Sequence, residues 1–232
     1  MASVTVVVGD GVEGWPSEAP YDRIMATASL STLPIAWVEQ LRPGGRLVMD
    51  LQATLASGFL VVEKTREGKV SGSLLPEPLH FMLLQTERVT VPSVQKTELL
   101  RQPCHETFVL DYHAIFPDIL FDPAFRWFLQ WNIAGCQIRR YTQPQDDHPS
   151  GMQAIVIKDS AHNALVRFQK GPGATHWQGK VYGTPSLWQK VQQVYDVFMH
   201  LGEPPVQSYQ LVVEQDAPFL LIDSVKLPLT RT

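Results

Sequence analysis

Residues 4–51 read VTVVVGDGVEGWPSEAPYDRIMATASLSTLPIAWVEQLRPGGRLVMDL, and the order of elements in this stretch decides the fold class. Residues 4–8 are five β-branched side chains in a row, bounded by Gly9-Asp10-Gly11. A run of that kind stopping in a glycine turn is the pattern of a strand buried on both faces of a parallel sheet. A loop with Gly14, Pro16 and Pro20 leads to residues 21–26, short and apolar enough for a second strand, and the small residues Thr27, Ala28 and Ser29 follow. Pro34 suits the first turn of a helix with residues 35–41 as its body, and Arg42-Pro43-Gly44-Gly45 stops it. Residues 46–51 form the next strand. Strand, small-residue loop, helix, glycine turn and strand make a βαβ crossover, the repeating unit of doubly wound α/β folds.

Outward from this stretch the texture changes. Residues 59–64 and 69–75 flank the polar turn Thr65-Arg66-Glu67-Gly68, the signature of an antiparallel hairpin, and residues 81–84 suit one more strand. Residues 90–106 lack sustained periodicity and read as a linker. Asp122-Pro123 then starts a helix with a capping residue and a proline in its first turn, with Phe125, Phe128, Leu129 and Asn132 on one face. Strands are expected at 153–158, 165–169, 209–213 and 219–222, and a long helix over 186–201, where Gly202 and Pro204 end it.

The 232 residues, 44% of them hydrophobic, suffice for one large or two small cores. Lys plus Arg number 19 against 23 Asp plus Glu, and neither half of the chain is basic, which argues against a nucleic-acid binder working by phosphate neutralisation. Residues 24–38, the longest charge-free stretch, contain Thr27, Ser29, Ser31, Thr32 and Pro34 and fall short of a membrane helix. Two cysteines, Cys104 and Cys136, suggest no disulfide framework, and the start has no positive segment leading into a cleavable apolar one, so a reducing, cytoplasmic setting is expected.

Gly9-Asp10-Gly11 is the sharpest local motif. A carboxylate in a glycine turn at a strand end can accept hydrogen bonds from a ligand in the cleft beyond the sheet. The blander reading is a simple turn in which Asp10 bonds its own backbone. Gly171-Pro172-Gly173 lacks the Lys-Ser/Thr of a phosphate loop and reads as a turn. Cys104-His105 and His113 have no second ligand pair at zinc spacing, so no metal site is expected. Asp146, Asp147 and His148 lie between prolines in an expected solvated loop, and Trp127, Trp131, Trp177 and Trp188 read as core.

Taken together, Gly9-Asp10-Gly11, Pro20-Tyr21-Asp22-Arg23-Ile24, Ala26-Thr27-Ala28, Pro34 and Leu41-Arg42-Pro43-Gly44-Gly45-Arg46-Leu47 resemble, in order and spacing, the later part of the protein-L-isoaspartate O-methyltransferase catalytic domain. The likeness extends more loosely to about residue 90. The chain beyond residue 105 is similar to the extra C-terminal domain of methyltransferases that accompany peptide-maturation systems. The resemblance implies a partial Rossmann-like methyltransferase sheet in residues 1–90, a linker over 91–106 and a smaller α+β accessory domain over 107–232. It implies S-adenosylmethionine as cofactor, with Gly9, Asp10 and Gly11 at its adenine end and Thr27 and Ala28 bordering the reacting methyl beside a peptide or protein carboxylate. In-line transfer to an ionised carboxylate is chiefly a matter of positioning.

The family's glycine-rich motif, its ribose-gripping acidic residue and its catalytic hydroxyl residue all precede the Gly-Asp-Gly strand, where this sequence has Met1, Ala2 and Ser3. In the family two strands lie between that strand and the next, so residues 4–8 are expected to lack their usual partner. Three readings stay open: a shortened methyltransferase inactive alone, a non-enzymatic peptide-binding or adaptor module, and a chain whose sheet a second polypeptide completes.

Overall fold

The computed structural model describes residues 4–84, 99–111, 116–141, 153–159, 161–170 and 174–229. Along them run β1 (Tyr21–Leu30), α1 (Ile35–Glu39), β2 (Leu41–Gln52), β3 (Ser57–Lys64), β4 (Val70–Leu75), β5 (Cys104–Asp111), α2 (Pro123–Asn132), β6 (Cys136–Tyr141), β7 (Gln153–Asp159), β8 (Ala164–Lys170), β9 (His176–Gly183), α3 (Ser186–His200), β10 (Gln210–Glu214), β11 (Ala217–Ile222) and β12 (Val225–Pro228). This mixed α/β chain divides into two units, one within residues 1–52, 57–88 and 206–231, the other within 53–56 and 89–205.

The first unit is a seven-stranded sheet in the order β1-β2-β3-β4-β10-β11-β12. β1 and β2 pair in parallel across α1, so the crossover read from residues 21–51 is present. The hairpin turn at 65–68 is also where it was read, joining β3 to β4. Leu47, Met49 and Leu51 of β2 and Leu60 and Val62 of β3 alternate into the core, each with no exposed surface. That two-residue period is what a pleated strand imposes.

Three expectations are corrected. Residues 4–8 form no strand, and Val4, Val6 and Val8 are 89%, 87% and 99% exposed. Strand preference needs a ladder neighbour to become a strand, and among the described residues none stands beside them. Residues 81–84 supply only an isolated parallel bridge, Ser29↔Leu83. The domain boundary also moves, because β10 pairs antiparallel with β4, bringing β10, β11 and β12 into the first sheet instead of an accessory domain over 107–232. Gly72 makes that pairing possible, since a Cβ there would lie 2.9 Å from the Val61 carbonyl oxygen and 3.0 Å from the Leu211 Cβ.

The second unit is α+β and no smaller than the first. Its antiparallel sheet runs β5-β9-β8-β7-β6. β5 begins inside the stretch expected as linker, and β6 and β9 were not read from the sequence; residues 90–98 of that linker lie outside the described residues. Helix α2 is capped as read, with the Phe125 N–H donating to Asp122 Oδ1 at 2.9 Å. Trp188 of α3 stacks on Phe108 at 5.1 Å between centroids and meets Phe168 edge-on at 5.3 Å. All four tryptophans of this unit, 127, 131, 177 and 188, are buried, as the core reading required. Among the described residues no helix is long and apolar enough to cross a membrane, and no three His, Cys, Asp or Glu side chains gather to hold a metal. Gly171-Pro172-Gly173, His113 and Asp146, Asp147 and His148 lie outside the described residues.

Candidate functional site

The Gly-Asp-Gly loop, residues 9–20, is shaped by one short helix. Trp37 and Gln40 stand three residues apart and so share a face. The Trp37 Nε1–H donates to the Gly11 carbonyl at 2.8 Å. The Gln40 amide works at both ends, its Nε2 donating to the Glu13 carbonyl at 2.7 Å and its Oε1 accepting from the Trp15 N–H at 2.8 Å. Tyr21, at the start of β1, donates its hydroxyl to the Trp15 carbonyl at 2.5 Å. Gly14 sits at φ +66°, and a Cβ there would fall 2.4 Å from Gln40 Oε1. The glycine is therefore required twice, by the backbone and by the prop.

Asp10 behaves as the blander reading had it: its Oδ1 accepts from the Val12 N–H at 3.0 Å, capping the short helical turn that follows. The residue is exposed, and Oδ2 is left to face solvent or a ligand. Gly9, Asp10 and Gly11 line one cleft of about 360 Å³ together with Trp15, Tyr21, Arg23, Met25 and Trp37. That is the lower end of ligand-pocket sizes.

Thr27 and Ala28 lie outside its wall, while Ala26 is in it. The cause is a break in register: Met25 pairs with Val48 but Ser29 with Asp50, so β1 sets three residues against one and bulges over 26–28. The sequence reading thus placed five residues at one site, and the structure brings three of them together.

A second polar constellation went unread. Asp50, with no exposed surface, accepts from the Ser29 hydroxyl at 2.6 Å and from the Phe81 N–H at 3.2 Å, both on Oδ2, and its Oδ1 is buried without a partner. The Ser29 backbone accepts from the Leu84 N–H and donates to the Met82 carbonyl. A carboxylate in the apolar run Leu47-Val48-Met49-Asp50-Leu51 was the available signal, since a charge-bearing group there must find partners. For the loop, the spacing of Trp37 and Gln40 was the signal.

Trp15, Ile24, Met25 and Trp37 give the cleft an apolar lining, and the Asp10 carboxylate shares its wall. It does not fit the whole cofactor implied by the family. Among the described residues, Trp37 Nε1, Tyr21 OH and both ends of Gln40 are engaged by the loop itself. That leaves the Asp10 carboxylate and the Arg23 guanidinium as the charged groups in the wall.

Residues 1–87 match the family model described as Protein-L-isoaspartate(D-aspartate) O-methyltransferase (PCMT). The chain is 46% identical over 67 residues to the protein-L-isoaspartate O-methyltransferase of Hyperthermus butylicus, covering 29% of this chain and 28% of that one. It is 43% identical over 87 residues to protein-L-isoaspartate O-methyltransferase 2 of Polaromonas sp., covering 37% and 41%. The chain thus spans less than half the length of these relatives. A solved protein-L-isoaspartate O-methyltransferase aligns with 94% of this chain and 59% of its own, at 16% identity and a TM-score of 0.40.

Proposed function

We propose that this chain, whose residues 1–87 match the protein-L-isoaspartate O-methyltransferase family model, carries the Gly-Asp-Gly segment of an S-adenosylmethionine-dependent methyltransferase acting on aspartate or isoaspartate carboxylates of a protein or peptide. The observation that carries the reading is the 39–46% identity over segments of 64–87 residues to eight relatives of that name. Gly9, Asp10 and Gly11 bind at the adenine end, and Thr27 and Ala28 lie toward the carboxylate substrate.

Alone, the chain does not transfer methyl groups. Alignment of a carboxylate oxygen with a methyl donor at near-attack distance supplies most of the acceleration in such a reaction. Of charged groups, the cleft wall offers the donor's ribose and amino-acid ends Asp10 and Arg23 alone. A second reading, a non-enzymatic peptide-binding or adaptor module, draws support from the second unit, which has its own sheet, helices and aromatic core.

Calorimetric titration with S-adenosylmethionine, followed by labelled methyl transfer to an isoaspartyl peptide, tests both. Weak or absent heat with no transfer is the expected result. Methyl transfer by the pure chain overturns the statement of inactivity, and S-adenosylmethionine binding insensitive to Asp10→Ala overturns the assignment of the loop.

A further inference from the structure

The antiparallel sheet of the second unit has two faces, and strand register says which side chains share each. Paired residues of neighbouring strands point the same way, and their neighbours along the chain point the other way. On one face, Phe108 of β5 and Phe168 of β8 meet Trp188 of α3. The opposite face therefore carries a row through Thr107, Lys180, Arg167, Val156 and Arg139, each paired in register with the next across β5, β9, β8, β7 and β6. Val109, Gln178, Gln169, Ala154 and Tyr141 form the row beside it.

Three of the five positions in the first row are cationic, and no Asp or Glu among the described side chains of these strands lies on this face. Lys180 and Arg167 stand directly opposite one another, an arrangement in which like charges repel. The Gln169 amide, turned so that its oxygen faces the guanidinium, accepts from Arg167 Nε at 3.0 Å and from Nη2 at 2.7 Å. A neutral acceptor of this kind fixes the direction of a cation and leaves its charge in place. Arg139 is exposed, Lys180 is half-buried, and neither belongs to an ion pair among the described residues. Arg167 lies between them at 8% exposure, where a partly desolvated cation attracts an anion more strongly than one in open water.

We propose that this face binds an acidic peptide, with its carboxylates along Lys180, Arg167 and Arg139. The proposal rests on the second reading above, peptide binding by the second unit, and adds the charge of the peptide. From β9 to β6 the row spans about 14 Å, close to the length of four residues of extended chain, whose alternate side chains, about 7 Å apart, set two or three carboxylates over it. The adjoining row favours a peptide over a nucleic acid. The exposed Gln178 amide offers both a donor and an acceptor, as a peptide group requires, whereas a phosphodiester only accepts. Val109, 61% exposed, adds an apolar contact.

Fluorescence anisotropy of the full chain with a labelled nonapeptide of alternating Glu and Ser tests this, against the same peptide with Gln for Glu and a labelled oligouridylate of equal length. The acidic peptide is expected to bind with a dissociation constant on the order of 10–100 μM at about 50 mM salt and to weaken at least about fivefold at about 200 mM. The Gln peptide binds at least about tenfold more weakly. Lys180→Glu and Arg139→Glu each lower the affinity at least about fivefold while far-ultraviolet circular dichroism stays unchanged, and Lys180→Arg keeps it. Equal binding of the Glu and Gln peptides overturns the proposal and leaves peptide binding standing, and binding of neither overturns both. Tighter binding of the oligouridylate, or an affinity indifferent to both charge reversals, also overturns it.

Discussion

Replacing Gly14 by alanine tests whether the loop is held as described. At φ +66° and ψ −146° the backbone occupies a region nearly reserved for glycine, and placing a Cβ there costs about 1–3 kcal/mol. The new carbon would also stand 2.4 Å from Gln40 Oε1 and 3.0 Å from its Cδ and Nε2. The amide has to leave, giving up the bonds to the Trp15 N–H and the Glu13 carbonyl, each worth about 1 kcal/mol. The expected sum is about 3–5 kcal/mol, unless the loop detaches at lower cost. Either way the Trp15 amide loses protection. Gly9→Ala is the matched control, with nothing within 4 Å of its Cβ, and is expected within about 0.5 kcal/mol of the parent. Urea unfolding gives the energies and hydrogen exchange on residues 9–20 gives the location. Gly14→Ala and Gly9→Ala behaving alike would refute the account of Trp37 and Gln40 as props.

Ser29→Ala leaves the buried Asp50 carboxylate without its shortest hydrogen bond, and is expected to cost about 1–3 kcal/mol and to raise exchange at residues 81–84. Burial, helped by the Asp159 charge and opposed by Arg126, pushes the Cys136 thiol up to about 12. A raised folded-state value means that its contribution to stability is full below the ordinary thiol value of 9.0 and is lost as pH rises toward 12. The melting temperature therefore falls across that window, and Cys136→Ala flattens the slope. At pH 8 a thiol reagent titrates the exposed Cys104 at once and Cys136 only after denaturant. Deleting residues 206–232 strips β4 of β10 and uncovers Leu211's contact face, so the shortened chain is expected to aggregate in light scattering, whereas an accessory domain ending at residue 232 would have left the first unit soluble.

What the sequence made legible was local. The β1–α1–β2 crossover and the β3–β4 hairpin follow from periodicity broken by glycine and proline at fixed places, and α2 and α3 from their stripes and caps. Four strands escaped because they lack a clear alternating pattern: β5 follows Pro103 inside a polar stretch, β6 reads Cys-Gln-Ile-Arg-Arg-Tyr, β9 contains Gly179, which is there because the Phe108 ring occupies the space of a Cβ, and β12 is only Val-Lys-Leu-Pro. The return of β10 to β4 joins residues far apart in the chain, and no local pattern encodes it. At the site, a turn motif announced Asp10 but not the helix face that holds the loop, since the bonds from Trp37 and Gln40 reach residues 25–27 positions away in the chain.

That return gives the chain an order of assembly. Apart from residues 53–56, the described part of the second unit lies between β4 and β10 and is therefore an insertion in the first. About 130 residues separate Leu75 from Gln210, and at about 5–20 residues per second a ribosome takes on the order of ten seconds to make them. Throughout that interval β4 waits with one edge unpaired while the inserted unit can already fold. Synthesis thus inverts the order of the sequence, since the unit begun first is the one completed last.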